Sequence, residues 1–437
     1  MKKITIIGSG YVGLVSGAGL ASFGHKVICV DIDTVKINKL NLGEIPIFEP
    51  GLKSLILENV KKDRLFFNDN IITSIKNSDV IIIAVGTPQG KNGEADLSAV
   101  YDVAKLIGNN LNSYKVISTK STVPVGTGEK IEQIIKSNKN KNNFDYVSNP
   151  EFLREGSSIS DFMRPDRIII GTNSKKAFET MKDIYRPLYI NKTPIIMTTV
   201  KTAEMIKYAS NAFLALKISY INEIANLCES VGANIQEVSN AMGMDGRISS
   251  KFLHAGPGFG GSCFPKDTEA LVQIGKNHNT SLSIIEAAIK SNSNQIVRMR
   301  NKLFKLLSNK VKGTSISILG LSFKPNTDDI RGAPACYFVS ELLSYGAKIK
   351  AYDPIAITNF KKKFTEPIYC TTWQEAVKDT DACIILTELN EFRGIDLFEL
   401  KKLMKNPVLL DVKNILNVKL LEKLNFVYDN VGKKLNI

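Results

Sequence analysis

Ile4-Thr5-Ile6-Ile7 runs directly into Gly8-Ser9-Gly10-Tyr11-Val12-Gly13, and the small apolar stretch Leu14 to Phe23 follows before Lys26 to Val30 turns strand-like again. No other feature restricts the fold as much. A strand, a glycine-rich turn, a helix and a second strand make a βαβ unit, in which backbone amides at the helix N-terminus can approach a pyrophosphate. Asp31 closes the second strand. A carboxylate there accepts hydrogen bonds from ribose hydroxyls and repels a 2′-phosphate, so the two signals together favour NAD over NADP. The alternative is that the glycines only shape a turn and Asp31 caps the next helix; the strand, turn, helix and strand standing in register argue against it.

Further strands are expected at Val80 to Val85, Lys115 to Thr119 and Tyr146 to Ser148, spaced widely enough for helices between them. The first ~200 residues therefore read as a parallel α/β sheet, with the linker Asn191 to Pro194 near its end. From Thr202 to about Val231 there is no glycine or proline, and Met205, Ile206, Ala209, Ala212, Phe213, Leu216, Ile218, Ile221, Ile224, Ala225 and Leu227 give a helix an apolar stripe wider than a surface helix needs. At ~1.5 Å per residue that helix is roughly 45 Å long, enough to join two domains and to form a subunit interface. A third region opens at Lys312-Gly313 and alternates strands (Ser315 to Leu319, Ile349 to Tyr352, Ala382 to Leu386, Val408 to Val412) with helices. It has no second Gly-x-Gly-x-x-Gly, so no second dinucleotide is expected there. The expected class is α/β, with two Rossmann-like parallel-sheet domains joined by a long central helix in a helical middle domain, divided at 1–200, 201–300 and 301–437.

Composition removes other classes. A chain of 437 residues exceeds what one hydrophobic core organises, and 43% hydrophobic with 23% charged residues at a mean hydropathy of -0.03 describes a soluble globular protein. The N-terminus carries no apolar segment of signal-peptide length, and Val80 to Val85 is far short of the ~20 residues that span a bilayer, so a cytoplasmic protein without membrane contact is expected. Cys29, Cys228, Cys263, Cys336, Cys370 and Cys383 lie far apart with no Cys-x-x-Cys, which predicts neither a metal site nor a disulfide framework. The net charge of +14 is scattered through Lys61-Lys62, Lys139 to Lys141, Lys361 to Lys363 and Lys433-Lys434 without interleaved aromatics, a pattern of solvated surfaces and not of nucleic-acid binding. The Asn/Lys-rich Ser137 to Asn143 reads as an exposed loop.

Gly256-Pro257-Gly258-Phe259-Gly260-Gly261-Ser262-Cys263-Phe264-Pro265-Lys266-Asp267 is the densest chemical signal. Glycines around one cysteine let a backbone close on a ligand, and Lys266 with the glycine amides is suited to lowering a thiol pKa and stabilising an oxyanion. Those are the conditions for a covalent acyl intermediate, which makes Cys263 the candidate nucleophile. Asn149-Pro150 reads as a helix N-cap and first helical residue, which would set Glu151 against the helix dipole. Lys207 and Asn211 are spaced i, i+4 and share a face of a helix that leaves little room for a solvent-facing lysine, so a ligand role is expected.

The cysteine loop, with Asn149-Pro150-Glu151-Phe152-Leu153-Arg154-Glu155-Gly156 and Lys207-Tyr208-Ala209-Ser210-Asn211-Ala212-Phe213, closely resembles the UDP-glucose/GDP-mannose dehydrogenase family, and the resemblance covers essentially the whole chain. Ser210 and Pro257 depart from it conservatively. The resemblance implies a four-electron oxidation of a nucleotide sugar with two NAD per sugar. The wording Phe-Gly-Gly-Ser-Cys-Phe-Pro-Lys-Asp is most like members that take UDP-glucose to UDP-glucuronate. The alternatives are the same chemistry on a UDP-N-acetylhexosamine or GDP-mannose, and a two-electron hydroxy-acid dehydrogenase that needs no cysteine.

By resemblance Cys263 takes the aldehyde as a thiohemiacetal and then a thioester, Glu151 activates the hydrolytic water, Lys207 and Asn211 contact the reacting sugar, and Asp267 and Thr122 hold a nearby water. The first general base, a water on Asp267 or a deprotonated Lys207, stays open. Expected NAD contacts are Gly8, Gly10, Tyr11, Val12, Gly13, Asp31, Lys36, Thr87, Thr122, Glu155, Lys266 and Arg331. Expected sugar-nucleotide contacts are Phe152, Leu153, Arg154, Glu155, Lys207, Asn211, Phe252, Leu253, His254, Ala255, Gly256, Gly260 and Lys324, with Arg247 reaching a neighbouring subunit's substrate. Without the resemblance Lys324 and Arg331 read as surface cations; with it they place the ligand between the two α/β domains. A homodimer is the expected state.

Overall fold

The computed structural model describes residues 1–90, 93–137 and 144–433, so most of the predicted loop Ser137 to Asn143, all of Lys139 to Lys141, and Lys434 lie outside the described residues. The chain divides into two compact units, Met1–Ser210 with Gln273–Asn279, and Asn211–Val272 with Thr280–Ile437.

The first unit is built on eight strands: β1 (Lys3–Ile7), β2 (Lys26–Val30), β3 (Leu65–Asn68), β4 (Val80–Ile83), β5 (Lys115–Thr119), β6 (Phe144–Ser148), β7 (Ile168–Gly171) and β8 (Ile195–Thr198). Their order is β3-β2-β1-β4-β5-β6-β7-β8. Strand residues alternate between faces, so Ile4, Ile6 and Cys29 enter one core while Ile7, Val30 and Ile83 enter another. A sheet covered on both sides needs apolar residues at nearly every position, which is why Val80 to Ile83 is buried throughout. The parallel sheet expected from the sequence holds for β1 to β6 only. β6 meets β7 antiparallel, at Ser148 and Gly171, and β8 follows β7. Asn191 to Pro194, expected as a linker near the end of the sheet, runs from the 3-10 turn Arg186–Asn191 into β8, the last strand of that sheet.

The second unit holds six strands, β9 (Ser315–Leu319), β10 (Lys348–Tyr352), β11 (Ile368–Tyr369), β12 (Ala382–Ile385), β13 (Val408–Asp411) and β14 (Val427–Asn430), all parallel in the order β11-β10-β9-β12-β13-β14. This repeats the 3-2-1-4-5-6 order of the first sheet, whose reversal of strand order marks the usual ligand crevice. The repetition extends to one carboxylate. Asp353, just after β10, accepts from the amides of Leu321 and Ser322, as Asp31 after β2 accepts from Ser9. Its other oxygen is taken by the amides of Ile355 and Ala356, which makes Asp353 a backbone clamp.

The predicted central helix spans Val200–Val231, 32 residues and about 48 Å. One stripe of it, Ile221, Ala225 and Cys228, packs with Met299 and Leu303 of the helix Ser283–Leu306. Another stripe is left open: Phe213, Tyr220 and Leu227, each seven residues apart, are 60%, 47% and 56% exposed. Among the described residues no helix is long and apolar enough to cross a membrane.

Candidate active site

The glycine-rich turn is held by backbone geometry. Gly8 lies at φ 105 and donates to Val30 O at 2.8 Å, and a Cβ on Gly13 would stand 1.9 Å from Gly8 O, so the helix Tyr11–Ser22 approaches the turn as only glycine permits. A Cβ on Gly10, by contrast, would meet nothing, and no side chain caps the helix that starts there. Open space in front of uncapped first-turn amides is what a pyrophosphate requires. The residues present therefore fit a dinucleotide.

Asp31 completes this arrangement. Its carboxylate accepts from Ser9 N at 2.9 Å, Asp33 N at 3.1 Å and Lys36 Nζ at 2.8 Å. Burial alone would raise its pKa, but Lys36 and the two amides outweigh burial and hold it below the ordinary carboxylate value. The capping alternative fails, because Asp33 caps the following helix through Lys36 N. The loops after β4 and β5 are joined by Thr87 Oγ1 donating to Thr122 O at 2.9 Å. Replacing Asp31 by Ala should weaken NAD about tenfold or more while leaving sugar-nucleotide binding nearly unchanged, the result expected if this carboxylate is the acceptor for ribose hydroxyls that its position after β2 implies. Separate titrations of the two ligands check this.

The second constellation of this unit lies on residues 149–156. The helix expected to start at Pro150 is absent; the next helix is Ser158–Met163. Asn149, instead of capping, is drawn into the core, accepting from Lys120 Nζ at 3.1 Å and Tyr185 Oη at 2.6 Å and donating to Ile169 O at 2.8 Å. Glu151 is thereby freed from the helix dipole and turned to Lys207, whose Nζ lies 2.9 Å from Glu151 Oε1 and 2.7 Å from Glu151 O. Both side chains are buried. Phe152 packs its ring under Arg167, while Arg154 pairs with Asp161 at 2.6 Å. Leu153 and Glu155 are half-buried on the same loop.

Three supports of this unit were not anticipated. Glu49, buried, accepts from Gly156 N at 2.6 Å and Ser158 N at 2.8 Å and also from the Tyr11 hydroxyl, tying the 149–156 loop to the glycine-rich turn. Glu204, on the long helix, accepts from Gly126 N and Gly128 N at 2.7 Å each, fixing the loop that follows Thr122; burial pushes its carboxyl up to about 7 despite those amides. Arg167 is the third. A carboxylate in an otherwise apolar stripe was the visible signal for Glu204; Glu49 and Arg167 left none.

The second unit positions the cysteine loop from below. Gly256 donates to Asn222 Oδ1 at 2.8 Å and accepts from Gln295 Nε2 at 2.9 Å, and Asn292 grips both backbone groups of Phe259 at 2.7 and 3.0 Å. Gly261 donates to Arg331 O at 3.0 Å, and a Cβ on Gly260 would sit 2.1 Å from Gly332 O. Asn222 is a polar interruption in an apolar stretch of the long helix, a signal the sequence displayed, whereas Asn292 and Gln295 stand in the polar run Lys290 to Gln295, which does not single them out. Leu253, Ala255 and Gly256 are buried, His254 is exposed, and Phe252 at φ 65 sets its ring 6.0 Å from that of Phe264.

Cys263 ends this loop, half-exposed, immediately before the helix Phe264–Asn277, with its carbonyl accepting from Asp267 N at 2.8 Å. Burial pushes the Cys29 and Cys383 thiols up to about 12, which marks them as inert core residues. Asp267, fully buried, accepts from Asn211 Nδ2 at 2.6 Å; Lys266 Nζ lies 2.9 Å from its other oxygen, misaligned for a hydrogen bond. Lys207 and Asn211 are thus each directed to a carboxylate, one in each unit. Arg331 and Arg247 pair locally with Asp329 and Asp245 at 2.7 and 2.6 Å, and Lys324 stands 5.1 Å from the Phe323 ring.

Residues 2–189 match the NAD binding domain of the UDP-glucose/GDP-mannose dehydrogenase family, 201–294 its central domain and 317–418 its UDP binding domain. A UDP-glucose 6-dehydrogenase of Rhizobium meliloti (strain 1021) is 50% identical over 435 residues, 99% of either chain. A UDP-glucose dehydrogenase from the hyperthermophilic archaeon Pyrobaculum islandicum superposes with a TM-score of 0.91 at 33% identity, covering 99% of this chain and 98% of that one. A UDP-D-ManNAc dehydrogenase from Pyrococcus horikoshii gives 0.85 at 26% identity, covering 98% and 99%. With an NAD-binding turn in one unit, a glycine-bound cysteine in the other and these matches along its whole length, the chain belongs to the UDP-glucose/GDP-mannose dehydrogenase family.

Proposed function

We propose that this chain oxidises UDP-glucose to UDP-glucuronate with two NAD, through a thioester on Cys263. The observation that carries the reading is the cysteine itself: half-exposed, at the start of a helix, on a loop whose backbone is pinned on both sides of Gly256 and Phe259. The positive end of that helix favours a thiolate, and with Pro265 lacking an N–H and the Asp267 amide given to Cys263 O, the amides of Phe264 and Lys266 are the ones that could serve a carbonyl oxygen turning anionic. The fold is shared with an enzyme of another nucleotide sugar, so the sugar is assigned from the 50% identity to a UDP-glucose 6-dehydrogenase and not from the architecture.

Bound NAD supplies the hydride acceptor, once for each of the two oxidations. In the first, the C6 alcohol gives its proton to a base, the water held by Asp267 or a deprotonated Lys207, and its hydride to the nicotinamide to become an aldehyde. The buried Lys207 and Asn211 stabilise the negative oxygen. The Cys263 thiolate then adds to the aldehyde carbon, giving a thiohemiacetal after protonation of its oxygen. The same base takes the thiohemiacetal hydroxyl proton as a second hydride leaves, which gives the thioester. Glu151 takes a proton from water as that water attacks the acyl carbon, and the C–S bond breaks to release carboxylate and thiol. Asp267 and Thr122 hold a water, Asp31 and Lys36 the adenosine ribose. Thr87, Glu155, Lys266 and Arg331 complete the NAD contacts. In this reading residues 1–200 bind NAD, 201–300 carry the cysteine loop, and 301–437, with Lys324, bind the uridine diphosphate.

The open stripe Phe213, Tyr220 and Leu227 supports a homodimer along the long helix, with the exposed Arg247 contributing to the other subunit's substrate. Six free cysteines suit a reducing compartment, and we place the protein in the cytoplasm. The test is the amount of NADH formed per UDP-glucose consumed by purified protein. Two per sugar is expected; one would mean a simple alcohol oxidation, and none would turn the assignment to another nucleotide sugar.

A further inference from the structure

The loop 149–156 has no regular secondary structure, so its shape depends on the side chains that grip it. Asn149 is held by Lys120, Tyr185 and Ile169, Glu151 by Lys207, Arg154 by Asp161, and Gly156 by Glu49. Phe152 has a different kind of tether. The Arg167 guanidinium carbon lies 3.6 Å from the centre of its ring, close enough to stack, and Lys207 Nζ lies 5.3 Å from the same centre. Arg167 is half-buried, directly before β7, and among the described residues no carboxylate stands within ion-pair distance of it. Burial pulls its pKa below the usual arginine value, and the neighbouring Asp166 offsets only part of this. A guanidinium kept partly dry without an ion pair has the aromatic face as its compensation.

We propose that Arg167 is a positioning residue: by stacking on Phe152 it fixes the loop that presents Glu151 to Lys207. The chain of contacts is short. Phe152 directly follows Glu151, whose carbonyl and carboxylate both receive the Lys207 ammonium, and the same ammonium faces the ring that Arg167 covers. Releasing the ring frees the one peptide unit on which both functional side chains converge. Arg167 itself touches no reacting atom in this scheme. The inference rests on the proposed roles of Glu151 and Lys207, but its structural half stands without them.

The test uses full-length protein with Arg167→Leu, Arg167→Lys, Phe152→Leu and the double variant Phe152→Leu/Arg167→Leu. Two readouts separate the tether from the chemistry. Hydrogen exchange over residues 149–156 should quicken in Arg167→Leu and return most of the way to the parent in Arg167→Lys, which keeps the cation. With UDP-glucose and NAD, Arg167→Leu should lower kcat by about tenfold with little change in the KM for NAD, the size of one partly buried cation–π contact. That loss should shrink to about twofold or less when Phe152→Leu is already present, because the two act as one contact. Unchanged exchange in Arg167→Leu, or an undiminished kcat loss in the Phe152→Leu background, overturns the inference. If the parent protein does not turn over UDP-glucose, the proposed function fails, and hydrogen exchange alone decides the tether.

Discussion

Cys263→Ser is expected to lower formation of UDP-glucuronate by roughly 10³-fold or more, with NAD affinity within about twofold of the parent. A serine hydroxyl is nearly isosteric with the thiol, yet it stays protonated at neutral pH and is a far weaker nucleophile than a thiolate. Addition to the aldehyde then fails, and with it the second oxidation. The fold should not suffer. The loop is fixed by Asn222, Gln295, Asn292 and Arg331 through backbone groups, and none of those bonds involves the sulfur. The NAD turn, in the other unit, is built from Gly8, Gly13 and Asp31. NADH release, mass analysis of the sugar product and a NAD titration check the three parts. A two-electron hydroxy-acid dehydrogenase would keep its rate in this variant. Any residual NADH at one per sugar, with aldehyde as product, would assign the first oxidation to residues other than the cysteine.

The cofactor half was legible because its signals are local. Gly8 and Gly13 are demanded by a turn and a close approach a few residues away, and Asp31 directly follows a strand whose apolar run, Val27 to Val30, is contiguous. The strands Lys26–Val30, Lys115–Thr119 and Ser315–Leu319 stand where the apolar runs put them, and the long helix begins two residues earlier than expected. What failed is long-range. Ile168–Gly171 and Ile195–Thr198 are four-residue segments too short for periodicity to separate from loops, and no local feature states that β7 pairs antiparallel to β6.

Asn149-Pro150 failed for a related reason. Asparagine before proline is a sound N-cap pattern, but here the side-chain oxygen is taken by Lys120 and Tyr185, which no spacing near residue 149 reveals. The same tertiary override made the site: with no helix at 151, the Glu151 carboxylate was available to Lys207. The i, i+4 spacing of Lys207 and Asn211 announced a shared face. It did not announce that each would face its own carboxylate, Glu151 and Asp267.

Glu151→Gln is expected to separate the two oxidations from the hydrolysis. Both hydrides leave before water attacks, so the first turnover should release two NADH per active site as a burst, followed by a steady rate roughly 10²–10³-fold below the parent. Intact-mass analysis during that phase should find a UDP-glucuronyl increment on the protein, absent when Cys263→Ser is added. The substitution also has a structural cost. Lys207 keeps Glu151 O at 2.7 Å but loses its carboxylate partner, and an unpaired charge at a buried site costs about 3–5 kcal/mol when nothing compensates. Glutamine's amide oxygen can still accept from the ammonium, so the loss of Tm should stay smaller than in Glu151→Leu, which offers no acceptor. These two effects diverge cleanly. A carboxylate that only neutralises Lys207 predicts a lower Tm, no adduct and a uniform slowing without a burst; one that activates water predicts the burst and the adduct even at temperatures where the variant is fully folded.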